Sequence, residues 1–511
     1  MSEAPDIRRW RLAIAVWIAT VLVMATNITR EHYPAFAVVD GTAWQCDRYA
    51  GFHSDIFLHT DGHWYINNNI GSSAIAAIPL WIASPLLDRV EAISKSKLNS
   101  NSGSIDASYS TPFPNRERMY RLARERGLDL RFGVSTLVIA ALLLGPLAAL
   151  ASIAMATHLR DRGLSPSLAT WLGFAGIVAT PLLFRGATLN HNLFVAYATL
   201  GVWIALESSS GRIAFTSRRV ITAGLFSGVA MMCDYSGAMT ALWAGLLILT
   251  ASETRWKDRL RFASILVAAS LPGLAVQFHA QWLCFGNPWL PPARWMTDAN
   301  FTNLGWRGFD LPSPDLLVAN LIDPRFGLIP FAPLLLLGFF PPRKGSLIST
   351  STWRRGCLMV ALYLLFASSN QYARMQWNTG FRYLTPVIIP LWMATCAMLA
   401  TLPRRLIHTV LAIAITHTLV LTTSRLFNVA DDWERLLSGD FKLPIFDTLA
   451  RTASGRELAN AVSSHLPGSP SKDAVRQFME GPIPSVTAVL IAIVAIYFLL
   501  RPVSRVSNST S

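Results

Sequence analysis

A chain of 511 residues is long enough for two or three soluble domains, yet 52% of it is hydrophobic and only 14% is charged. Soluble chains carry roughly 25% charged residues, so about half of the usual water-facing charge is missing and lipid must be the solvent for most of the surface. The 44 Lys and Arg outnumber the 30 Asp and Glu, but they sit in short runs between apolar segments, which suits anchoring to anionic leaflets and argues against a nucleic-acid groove.

In chain order, Arg8, Arg9 and Arg11 precede an apolar run from Leu12 to Ile28. That run is longer than a signal-peptide core and has no small-residue cleavage site, so a retained first span is expected. A span takes about 20 apolar residues. Further candidates lie at 132–156, 167–184, 191–206, 219–233, 236–252, 262–284, 326–340, 356–369, 384–402, 406–424 and 483–500, about twelve with the first. The segment Ile70–Leu87 has the length of another span but contains Pro79, Pro85 and several serines. Charge decides how it lies. If it does not cross, Arg160/Arg162, Arg212/Arg218/Arg219, Arg255/Lys257/Arg259/Arg261, Arg343/Lys344/Arg354/Arg355, Arg404/Arg405 and Arg501/Arg505 all share the cytoplasmic side with the N-terminus. Residues 70–87 are therefore expected to rest on the membrane as an interfacial helix, with both termini cytoplasmic.

The expected fold is an all-α polytopic membrane protein. A transmembrane domain covers 1–424 and includes a long external loop at 29–131; an external region follows at 425–482, then a last helix and tail at 483–511. Within the first loop the run SKSKLNSNSGS, from Ser94, reads as flexible. Cys46, Cys233, Cys284, Cys357 and Cys396 are odd in number and follow no metal-ligand spacing, so neither a disulfide framework nor a zinc site is read from them. His53, His59 and His63 fit no helix-based pair of metal ligands.

Unusual polar groups gather at the helix ends assigned to the external side. They are Arg185-Gly-Ala-Thr-Leu-Asn190-His191-Asn192, Asp234-Tyr235, the run Gly286-Asn287-Pro288-Trp289, the run Asp323-Pro324-Arg325, and the stretch from Gln376 to Pro386. Transporters need ionisable groups at mid-depth and broken helices there, and these spans are almost free of them. A carrier or flippase for a lipid-linked or polar substrate is thus the second reading, behind an enzyme working at a leaflet surface.

Several of these segments resemble a known family. WNTGFRYLTPVIIPL, from Trp377, looks like the W-x-x-G-x-R-Y-L-x-P-x-x-P element before a late span of GT-C-type bacterial membrane glycosyltransferases, the superfamily of aminoarabinose and protein O-mannosyl transferases. FGNPWLPP with DPRFGLIPFAPLLLLG, and EHYPAFAVVDGTAWQCDRY with GHWYINNNIGSSAIAAIPLW, are similar to the external loops of one bacterial branch. The resemblance implies an inner-membrane enzyme that moves a sugar from a polyprenyl-phosphate donor to a glycan, lipid or protein acceptor on the non-cytoplasmic face, without nucleic acid. No cofactor is required by it, though a divalent cation is compatible.

Such chemistry needs a carboxylate to take the acceptor hydroxyl's proton and fixed positive charge for the departing phosphate. Arg382 stands at the motif-matching position and is the first candidate for the phosphate, with Arg325 second. The family's aspartate just outside the first span is replaced here by Asn27, an amide that cannot accept a proton. Glu31, Asp40 and Asp47 in the same loop are the candidate bases, and a member that has lost catalysis is the third reading. Asn190, His191, Asp234, Trp377 and Tyr383 are candidate substrate contacts. For each of these residues the alternative is an ordinary one: an interfacial Arg, a helix cap, a tight turn or an aromatic belt.

Overall fold

The computed structural model describes residues 9–100, 114–207, 215–296, 304–306, 308–343, 345–425, 443, 446 and 481–501. The expected external region 425–482 lies almost wholly outside them, as do the last four residues, 101–104, of SKSKLNSNSGS. The described chain is helical apart from one small antiparallel hairpin, β1 (Ile56–Leu58) and β2 (Trp64–Ile66). Among the described residues four helices are long and apolar enough to cross a membrane, or five if one bent pair counts as a span.

The first helix, α1 (Arg9–Leu22), ends six residues before the apolar run does. From there the chain runs irregularly, tied to a neighbouring segment by the Ala25 amide on the Ala187 carbonyl at 2.7 Å, before entering α2 (His32–Val39). After the hairpin come α3 (Gly71–Ile82) and α4 (Ser84–Ser100). The single interfacial helix expected over 70–87 is thus two helices bent by 78°. The break has a local cause. Pro85 has no N–H to continue the α3 hydrogen-bond ladder and its ring crowds the preceding turn, so the chain starts a new helix with Pro85 in its first turn. Ile78, Trp81 and Ile82 of α3 remain exposed, an apolar face suited to lipid. Helix α4 also carries regular structure through Ser94–Ser100, where the composition suggested a loop.

Next follow α5 (Pro114–Glu125) and the 33-residue α6 (Asp129–Asp161). A π-turn over Ala140–Leu144 just ahead of Pro146 relaxes α6. The Trp17 indole N–H donates to the Ala141 carbonyl in that turn at 2.8 Å and binds α1 to α6. The helices α7 (Pro166–Val178), α8 (Pro181–Gly186), α9 (His191–Leu206), α10 (Ser217–Cys233), α11 (Gly237–Leu249) and α12 (Trp256–Phe285) complete the middle of the chain. Where an unbroken span was expected over 326–340, Pro330 and Pro333 leave only a short helix (Leu328–Phe331) and a 3-10 segment (Pro333–Phe339). The latter packs on α13 (Ile388–Leu399) so closely that a Cβ at Gly338 would stand 2.5 Å from the Leu391 carbonyl oxygen. Between them in sequence lies α14 (Thr350–Ser369), and α15 (Arg404–Arg425) and α16 (Pro482–Leu500) close the described chain.

Two polar clusters mark opposite ends of this bundle. At one, fully buried Glu207 after α9 accepts from Arg355 of α14 at 2.5 and 2.8 Å and lies 3.6 Å from Arg162 after α6. At the other, the α9 N-terminus, the junction of α10 and α11, and the loop after α1 meet.

Candidate functional site

Helix α9 begins at His191 because Asn190, in extended backbone, accepts the Leu193 amide with its side chain at 3.0 Å, an N-cap. The Asn190 amide nitrogen in turn donates to the Arg185 and Thr188 carbonyls at 2.5 and 2.8 Å, so the turn between α8 and α9 is knitted by one side chain. This cap fixes the imidazole of His191, which is 1% exposed, at the centre of a charged cluster.

The His191 Nδ1 lies 2.6 Å from Glu31 Oε1. Its Nε2 lies 3.2 Å from an Arg382 guanidinium nitrogen and 3.4 Å from Asp234 Oδ2. A neutral ring satisfies the two short contacts at once, donating from Nδ1 to Glu31 and accepting at Nε2 from Arg382. Residues 31, 191, 234 and 382, drawn from four separate helix ends, therefore share one imidazole. Arg30 joins them: it reaches Asp55 Oδ2 at 3.1 Å, Glu31 at 3.5 Å and the His191 ring at 3.4 Å. Arg382 also donates to the Asn192 side-chain oxygen at 3.3 Å, and its guanidinium lies 4.9 Å from the Tyr383 ring centroid. Arg185 donates to Asn190 and stands where Arg382 and Arg30 act on it as like charges.

Burial alone would push the Glu31 carboxyl up, but the hydrogen bond from His191 and the charge of Arg30 outweigh it and hold the group well below the usual carboxylate range. Asp55 behaves alike: burial raises it, while His53 and Arg30 bring it below its ordinary value. Both acids are therefore anions at neutral pH. Arg30, Arg185 and Arg382 face Glu31, Asp55 and Asp234, a balanced set of charges largely withdrawn from water.

The remaining sequence candidates lie elsewhere. Asp40 uses both oxygens in a network with Arg131 at 2.5 Å, Arg48 at 3.1 Å and the Tyr49 hydroxyl at 2.6 Å. Arg131, 1% exposed, also meets Glu91 at 2.8 Å and Asp88 at 3.1 Å, so this network ties α2 to α4 and α6. Asp47 is half-exposed and pairs with His63 at 2.8 Å and the Trp64 amide at 2.6 Å, at the turn end of the hairpin. Arg325, more than half exposed, is held by its neighbour Asp323 at 2.8 and 3.0 Å. The side chain of Trp377 lies outside the described residues. Asn27 accepts from the Tyr120 hydroxyl at 3.3 Å.

Arg30, Asp55, Arg185 and Asn192 belong to the cluster without having been singled out as site residues from the sequence. Two signals were present: Arg30 adjoins Glu31, and Arg185 and Asn192 flank the Asn190–His191 pair. Asp55 sits in a polar run of the loop with nothing to distinguish it. Among the described residues no group of three or more His, Cys, Asp or Glu side chains has metal-binding geometry.

No protein-family model matches the chain, and no curated protein matches it. Among solved structures the chain is similar to the crystal structure of ArnT from Cupriavidus metallidurans bound to undecaprenyl phosphate, with 13% identity and a TM-score of 0.48 over 96% of this chain and 76% of that one.

Proposed function

We propose that the protein is a GT-C-type glycosyltransferase that takes a sugar from a polyprenyl-phosphate donor and transfers it to a hydroxyl acceptor on the non-cytoplasmic face of a bacterial inner membrane. The observation that carries this reading is the shared imidazole: a candidate base, Glu31, and a candidate phosphate partner, Arg382, are one ring apart. The motif residues around Arg382, and the loop motif that begins at Glu31, supply the family expectation.

In this reading the carrier phosphate docks on Arg382, with Arg185 and Arg30 beside it. The acceptor oxygen attacks the anomeric carbon as the bond from that carbon to the phosphate oxygen breaks. The acceptor's proton passes to Glu31, and the polyprenyl phosphate departs with the bonding electron pair, so configuration inverts. Glu31 must be ionised to act, and its depressed carboxyl meets that demand at neutral pH. His191 orients Glu31 from Nδ1. When the phosphate draws Arg382 away from Nε2, that nitrogen faces Asp234 and the ring can take up a proton, offsetting the negative charge the substrate brings.

The test is sugar transfer in membranes by the Arg382→Ala variant. Transfer is expected to vanish while the amount of membrane-inserted protein stays the same. Near-normal transfer would remove the assignment.

A further inference from the structure

The segment between α1 and α2 lies alongside the one between α8 and α9, and their contacts keep the same order along both. The Ala25 amide donates to the Ala187 carbonyl at 2.7 Å, and the Thr29 hydroxyl donates to the Leu189 carbonyl at 2.7 Å. Two residues further along each segment, Glu31 meets His191 at 2.6 Å. Thr29 is therefore the last tie before the charged pair. It also opens a tight turn: the His32 amide donates to the Thr29 carbonyl at 3.0 Å, which puts Arg30 and Glu31 at the two central positions.

A side chain closes the same turn a second time. The Thr29 amide donates to His32 Nδ1 at 3.0 Å. The Thr29 hydroxyl lies 2.9 Å from that nitrogen, but its one proton goes to Leu189. Nδ1 is thus an acceptor and the ring is neutral. Burial keeps it so, pushing the imidazole, which is 1% exposed, down to about 4. From α3, the Ser73 hydroxyl donates to the Glu31 carbonyl at 2.7 Å. The backbone under Arg30 and Glu31 is therefore held at both ends and in the middle. Both side chains then converge on the His191 ring. Left on a loose loop, two such long side chains would sample many rotamers, and a misplacement of about 1 Å costs about 10²-fold in rate.

We infer that Thr29 and His32 are positioning residues: the turn they close sets how Glu31 meets His191, and so where the acceptor's proton is taken. The inference rests on the glycosyltransferase reading and adds to it the residues that hold its base in place.

The experiment uses the full chain, with a panel of undecaprenyl-phosphate sugars as donors in membranes that carry the native acceptor. In nanodiscs, NMR of labelled histidine follows the His191 Nδ1–H bound to Glu31. Thr29→Val removes the hydroxyl at constant shape, and His32→Leu removes the Nδ1 acceptor. Each should lower kcat about a hundredfold per folded molecule while KM for the donor changes little, since Arg382 is not part of the turn. The His191 signal should shift in both. Glu31 is faced by Arg30 and His32 in its own turn, by His191, and at longer range by His53 and Arg185. With the His191 bond loosened, burial is less opposed and the carboxyl rises, so both variants should fall to half-rate at or above about pH 5, where the wild type holds its full rate. Thr29→Ser and His32→Asn keep the hydroxyl and the acceptor and should restore rate, signal and pH profile. Thr29→Val decides the matter if His32→Leu fails to insert. Variants with the wild-type rate and an unmoved His191 signal overturn the inference alone. So does a loss that follows melting temperature with an unmoved pH profile, which would mark the turn as scaffold. A wild type that transfers none of the sugars overturns the transferase reading and this inference with it.

Discussion

Replacing Glu31 with Gln isolates the base from the architecture around it. The side chain keeps its shape, and its amide oxygen can still accept from His191 Nδ1 across the 2.6 Å contact, so the loop after α1 stays docked on α9. What changes is charge. Arg30, Arg185 and Arg382 would face only Asp55 and Asp234, and the proton acceptor would be gone. Exchanging a charge-assisted hydrogen bond for a neutral one costs about 1–2 kcal/mol of stability, a modest fall in melting temperature. Losing a general base costs about 10²–10⁴ in rate, or about 2.7–5.5 kcal/mol of barrier. The assay is initial rate of sugar transfer from a polyprenyl-phosphate donor by detergent-purified protein, normalised to folded protein. Because the Glu31 carboxyl lies well below its ordinary value, it is ionised throughout the physiological range. A depressed acid contributes stability above its unfolded pKa, near ~4.3, and loses it as pH falls through the folded value. The wild-type rate should therefore show no loss from this group between neutral pH and about 5. A Glu31→Gln rate above half of wild type would refute the assignment of the base.

Three other perturbations separate scaffold from chemistry. Arg131→Met should destabilise the protein by about 1–3 kcal/mol, read by thermal unfolding, since Asp40 and Glu91 would lose the buried guanidinium they share while Arg48 still pairs with both; transfer per folded molecule should persist. Gly71→Ala should lower both melting temperature and transfer, by about 1–3 kcal/mol in stability, because a Cβ there would stand 2.6 Å from the Met232 carbonyl group and push α3 away from the turn that bears Asp234. The hydrogen bond that His63 donates to Asp47 raises the His63 pKa above its ordinary value, so that pair favours the folded hairpin at low pH and loses its contribution as pH rises through the folded His63 value. Asp47→Asn should bring the His63 titration down, read by NMR of labelled histidine, without slowing transfer.

Much of the site was legible because its residues stand at helix ends that hydropathy and charge assign to one side. His191, Asn190 and Asp234 were found that way, Arg382 by its place in the family-like motif, and Glu31 as the carboxylate nearest Asn27. Distance in sequence hid the rest. Nothing in the loop tells Asp55 from Asp40, yet one pairs with Arg30 at 3.1 Å and the other with Arg131 at 2.5 Å, contacts fixed by how α2 packs on α6. Arg325 stood second to Arg382 as a candidate phosphate partner, but Asp323 two residues before it closes a local pair. The bend at Ala83 and the broken segment after Phe326 were signalled by Pro85, Pro330 and Pro333, which apolar run length alone ignores.

The central claim is that Glu31 and Arg382 work on one molecule of lipid-linked sugar. A structure of the protein in a nanodisc with a polyprenyl-phosphate hexose tests it most directly. The account predicts a phosphate oxygen about 2.7–2.9 Å from the Arg382 guanidinium, with the anomeric carbon on the Glu31 side of His191. A carrier bound at the far end of the bundle, against Arg162 and Arg355, would contradict it.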